Sequence, residues 1–84
     1  MTTQPPAVGR AVRERLADVV IETYVSWREA CVAVERTYAD WCRTPRGERW
    51  LAHAVNVSAL DREECAAHAH REAVERVVRE SAGK

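Results

Sequence analysis

Eighty-four residues carry 13 basic and 13 acidic side chains and no long apolar run. Zero net charge excludes an overall field that would draw the chain onto nucleic acid or anionic lipid, and a span of about 20 apolar residues is absent. The length suits one small domain whose single core leaves little margin of stability, so association with another chain is expected.

Three cysteines, Cys31, Cys42 and Cys65, form an odd set without CxxC spacing, which reads as free thiols and not as a secreted disulfide framework. Twelve of the 13 basic residues are Arg, and Ala and Val together fill 26 positions. That is the bias of GC-rich bacterial coding and says nothing of function. The N-terminus lacks a basic-then-apolar signal, so the expected address is cytoplasmic.

Residues 1–9, with Pro5, Pro6 and Gly9, have no periodicity and read as a disordered leader. A single domain is expected over 10–81, with 82–84 as a frayed C-terminus. From Arg10 onward, apolar residues recur at Ala17, Val20, Tyr24, Trp27, Cys31, Val34, Tyr38 and Trp41, a heptad spacing that predicts a long amphipathic helix ending near Cys42. Leu16, Val19 and Ala30 widen this stripe on one side; Ile21, Val25, Val32 and Ala39 flank it on the other. The apolar surface is too broad for one neighbour.

At "WCRTPRGERW", Trp41 to Trp50, stand the only Pro and Gly of the central chain. Thr44 followed by Pro45 fits an N-cap and first helical residue, which predicts a second helix from Pro45 to about Glu80. The two helices are nearly equal in length, each roughly 50 Å at ~1.5 Å per residue. Equal arms with a short turn predict an antiparallel hairpin, with Trp41 and Trp50 clamping its apex. In the second arm, Trp50, Leu51, Ala54, Val55 and Val57 define one face, and Leu60, Ala67, His70, Val74, Val77 and Val78 another. "SALD", Ser58 to Asp61, matches a capping box, so a kink or fresh start near Asn56 to Ser58 would resolve the mismatch.

Cys65 and His68 share a helical face, and Glu64, His68 and Glu72 stack at i,i+4, so a zinc, copper or nickel ion could find two or three ligands there. A structural site needs about four. The preferred reading is a solvated face with His70 half-buried on the apolar stripe; a metal- or small-ligand-binding bundle built on Cys65, His68 and the neighbouring carboxylates is the alternative. No cofactor is expected. Catalysis would need a thiolate beside a base in a pocket, which this pattern does not offer, so the chain is expected not to be an enzyme. Arg43, Arg46 and Arg49 concentrate positive charge at the apex and are the candidates for gripping an acidic or phosphate-bearing partner. On the second arm, Arg71 with Glu75 and Glu72 with Arg76 are exposed i,i+4 pairs that stabilise a helix.

In length and hairpin plan the chain resembles the secreted WXG-type helical hairpins. Their Trp-x-Gly turn is missing, since the apex reads Trp41, Cys42, Arg43, and the chain is not assigned to them. The reading is an all-α antiparallel hairpin that dimerises into a four-helix bundle and acts as a protein-interaction or regulatory module. Ile21, Val25, Val32 and Trp27 are the expected interface residues. A homodimer and a protein partner are expected; a membrane and nucleic acid are not.

Overall fold

The computed structural model describes residues 5–82. Helix α1 spans Pro5–Arg43 and helix α2 spans Arg49–Ala82, joined through a 3-10 turn at Arg46–Glu48. They pack on each other as an antiparallel hairpin measuring 73 × 17 × 12 Å. No described helix is long and apolar enough to cross a membrane. α1 begins ahead of the expected start at Arg10, taking in Pro5 and Pro6, because proline in a first turn gives up only an N–H that would be unpaired anyway. Residues 1–4 of the expected leader, and 83–84 at the other end, lie outside the described residues.

The turn is built differently from the Thr-Pro start expected of it. The Thr44 hydroxyl donates back to the Asp40 carbonyl at 2.6 Å, so it closes α1 and does not cap α2. Its N–H bonds the Trp41 carbonyl at 3.2 Å. Thr44 precedes proline, which biases it away from the α region. It therefore serves the orphan carbonyls at the end of α1. Pro45 is extended, with φ −58° and ψ 151°, and no side chain caps the turn. Gly47 has no positive φ and open space where a Cβ would stand, so the turn does not require glycine.

The seam between the helices is a heptad pattern, shifted from the one the apolar residues suggest. Thr23 meets His70 and Thr37 meets Asn56 through side-chain hydrogen bonds of 3.0 and 2.9 Å, and these two contacts are equally spaced along both helices. One register satisfies both. It sets Val20 level with Ala73, Trp27 with Ala66, Val34 with Ala59 and Trp41 with Ala52, each large side chain of α1 opposite an alanine of α2. Between these layers fall Thr23 with His70, Ala30 with Glu63 and Thr37 with Asn56. Val20, Trp27, Val34 and Trp41 thus hold their expected seam positions, whereas Tyr24 and Tyr38 lie 48% and 55% exposed beside it.

α2 shows no kink or fresh start near Ser58 and runs unbroken to Ala82. Its seam face is made of Ala52, Ala59, Ala66 and Ala73 alternating with Asn56, Glu63, His70 and Val77, one straight stripe in heptad spacing. The two apolar faces that suggested a break do not compete for α1, because the first lies off the seam and the second contributes only His70 and Val77 to it. Ser58 caps nothing; its hydroxyl accepts from Arg62 Nη1 at 3.1 Å.

Candidate functional site

Alanine lets the α2 backbone come close to α1, and the three polar residues interleaved with it are all hydrogen-bonded across the seam. Asn56, 4% exposed, donates from Nδ2 to Thr37 Oγ1 at 2.9 Å and to the Val34 carbonyl at 3.4 Å. Glu63 accepts from Trp27 Nε1 at 2.8 Å, with Cys31 Sγ at 3.9 Å from the same oxygen. The Thr23 hydroxyl lies 2.9 Å from the Val19 carbonyl and is hydrogen-bonded with His70 Nδ1 at 3.0 Å. The His70 ring stacks on Trp27 with centroids 5.8 Å apart and an interplanar angle of 18°. No buried side-chain N or O among the described residues lacks a partner. Satisfied polar layers of this kind set register and orientation more than they add stability.

The hairpin encloses little apolar surface. Ala59 and Ala73 are the buried apolar residues among those described, and no large side chain is fully enclosed. Many of the remaining apolar side chains lie roughly a quarter to a third of a turn from the seam on one side of the hairpin, while Leu51 and Val55 stand exposed on the other side beside Thr37 and Thr44. α1 places Ile21, Tyr24, Cys31, Tyr38 and Cys42 there; α2 places Trp50, Val57, Leu60, Ala67, Val74 and Val78. Both helices reach the same side, as shown by shallow grooves lined by Tyr38, Trp41, Cys42 and Arg49 near the apex and by Trp27, Ala67, His70, Arg71 and Val74 further down. Contacts of Tyr24 with His70 at 5.7 Å and of Trp41 with His53 at 4.7 Å tie this flank across the seam. On the opposite side the groove is lined by Ser26, Glu29, Asp61 and Arg62 with small residues between them.

Of the expected interface residues, Ile21 stands on this flank, 60% exposed. Val25 and Val32 are exposed along its outer border on α1. Trp27 belongs to the hairpin's own seam, with an edge on the lower groove. The apex clamp differs from the expected pair of tryptophans. Trp41 packs on His53 and edge-on against Tyr38, while Trp50 points outward at 72% exposure.

The apex arginines do not converge on one point. Arg43 pairs with Asp40 at 2.7 Å, Arg49 Nε reaches the Thr44 carbonyl at 3.5 Å, and Arg46 is exposed on the turn. His68 Nε2 lies 3.2 Å from Glu72 Oε2 on the outer face, and Cys65 is exposed. Glu64 points to solvent as well. Among the described residues, no three His, Cys, Asp or Glu side chains converge as a metal site would require. The cross-seam set Asn56 and Glu63 is absent from the expected site residues; its signal is their seven-residue spacing with His70 between regularly placed alanines.

Compared with known proteins, the chain matches no family model, no curated protein and no solved structure.

Proposed function

We propose that the protein is a non-enzymatic, self-associating helical module: two hairpins join through the apolar flank as a four-helix bundle that serves protein interaction or regulation. The observation that carries this reading is the mismatch between a nearly empty core and a broad exposed apolar flank, interrupted by Arg28, Glu35, Glu64 and Arg71. The chain exposes 6492 Å², whereas a compact monomer of 9.5 kDa exposes about 5,000 Å² by mass scaling. The excess, roughly 1,400 Å², is more than the ~800 Å² that each partner gives up in a standard interface. Side by side, two hairpins cover the flank of each with the flank of the other, as a four-helix bundle requires. Arg43, Arg46 and Arg49 are then the proposed contacts for an acidic protein partner, with Arg43 and Arg46 clear of the flank and Arg49 at its apical edge.

Thermal melting followed by circular dichroism at several protein concentrations tests the reading. A dimer melts at higher temperature as concentration rises. Leu60→Glu, which sets a charge in the middle of the flank, should abolish that dependence and lower helicity. Wild-type melting that is independent of concentration would refute the proposal.

A further inference from the structure

Helix α1 contains one five-residue pattern twice, Thr23-Tyr24-Val25-Ser26-Trp27 and Thr37-Tyr38-Ala39-Asp40-Trp41, two heptads apart and with Thr, Tyr and Trp in identical places. The chain has two tyrosines, and both stand here. The neighbouring heptads carry Leu16, Ala17, Val20 and Ala30, Cys31, Val34 at those places, so a helical seam by itself does not call for the pattern. Resting on the dimer reading above, we infer that Tyr24 and Tyr38 are the anchors of the self-association surface, the side chains that a second copy of the chain buries most deeply.

The seam accounts for two of the three repeated residues. Thr23 and Thr37 bond His70 and Asn56 at 3.0 and 2.9 Å, partners that are themselves two heptads apart on α2. Trp27 and Trp41 stand level with Ala66 and Ala52 and lie against the rings of His70 and His53. Among the described residues, the tyrosines take no part in the hydrogen bonds of the seam. They stand beside it on the flank, 48% and 55% exposed. What recurs is their posture: Tyr24 meets Trp27 edge-on with centroids 6.2 Å apart at 73°, and Tyr38 meets Trp41 at 5.9 Å and 87°. Each ring is braced by a seam tryptophan and held about 21 Å from its twin, at ~1.5 Å per residue. A large side chain fixed before contact surrenders little freedom on binding, and tyrosine is concentrated among the residues that carry interface energy.

The same flank supplies gaps for such rings. One heptad to either side of Tyr24 stand Ala17 and Cys31, and on α2 Ala67 lies one heptad from both Leu60 and Val74. Large and small residues therefore alternate at the same spacing on both helices. A tyrosine of the second copy has a small position to enter whichever helix it lies along, so the flank is complementary to itself, as a two-fold contact requires. The surface exposed in excess of a compact monomer is enough for that contact.

Sedimentation equilibrium of Tyr24→Ala and Tyr38→Ala tests the assignment. Each should weaken self-association about thirtyfold or more, because an anchor of a two-fold contact is removed twice. Tyr24→Phe and Tyr38→Phe keep the ring and should stay within about threefold of the wild type, as should Val25→Ala and Val32→Ala on the outer border of the flank. Circular dichroism checks that each variant remains helical. Truncating a ring that leans on a seam tryptophan also touches the hairpin, so hydroxyl-radical footprinting of the wild type, with peptide mapping, gives a second reading free of substitutions. At the concentration where two chains sediment together, both tyrosines should be oxidised far more slowly than their half-exposed state in one hairpin allows, and dilution to single chains should raise both rates. A dimer that forms equally well from either alanine variant, or whose tyrosines oxidise at one rate before and after dilution, would overturn the anchors while leaving self-association standing. A wild-type monomer at every concentration would overturn them by removing the dimer reading beneath.

Discussion

Thr37→Val is the sharpest probe of the polar seam, because it changes little in volume and removes one hydroxyl, which accepts from Asn56 and donates to the Val34 carbonyl. The Asn56 amide is 4% exposed and donates to Thr37 Oγ1 at 2.9 Å; its other acceptor, the Val34 carbonyl, is at 3.4 Å, long for a hydrogen bond. The Thr37 hydroxyl itself donates to the Val34 carbonyl at 3.1 Å. Deleting the hydroxyl leaves a buried N–H with a poor partner, which costs about 1–3 kcal/mol, whereas replacing both partners by apolar groups is nearly neutral. Asn56→Val in the Thr37→Val background should therefore recover most of the loss. The coupling between the two positions should be roughly 1–2 kcal/mol, which corresponds to a shift on the order of 5–15 °C in Tm for a domain of this size. The assay is a double-mutant cycle by thermal melting at one fixed protein concentration, so that any mass-action contribution is common to all four proteins. Additive effects, or a neutral Thr37→Val, would refute the claim that this layer is a closed hydrogen-bonded pair.

Trp27→Ala removes the indole bonded to Glu63 and stacked on His70, and should cost about 3 kcal/mol, near the low end for aromatic truncation because Trp27 is only half-buried. Trp50→Ala, at an outward position, should change hairpin stability far less; equal losses in chemical denaturation would contradict the seam assignment. Gly47→Ala should stabilise by about 0.4–1 kcal/mol or be neutral, since no positive φ and no close atom opposes a Cβ. A destabilised melt would show that the turn needs glycine. Replacing Arg43, Arg46 and Arg49 together by Gln should leave helicity and self-association unchanged while reducing recovery of an acidic partner from lysate; an altered sedimentation profile would place the apex in the dimer contact.

The hairpin was legible because its signals are local: a long apolar repeat, one Pro-containing break, and arms of matched length. Val20, Trp27, Val34 and Trp41 identify half of the seam for the same reason, since large side chains at heptad spacing announce themselves. The other half was hidden by chemistry. Apolar periodicity favours Tyr24 and Tyr38 over Thr23 and Thr37, yet a close-packed seam selects small residues whose hydroxyls meet Asn56 and His70. In α2 the most buried positions are two alanines and an asparagine, and Asn56 sits where the apolar pattern suggested a break. A residue looks like an interruption when hydrophobicity is the only measure. Pairing across the seam, which a single sequence does not display, turns it into a register device. Thr44 misled in a similar way: a hydroxyl before proline fits the cap of the next helix by sequence, and the geometry turned it back onto Asp40.

Self-association through the apolar flank is the claim on which the functional account stands, and sedimentation equilibrium of the wild-type protein at micromolar concentration tests it most directly. The wild type should sediment with the mass of two chains and Leu60→Glu with that of one. A single-chain mass of 9.5 kDa for the wild type across the whole concentration range would contradict it.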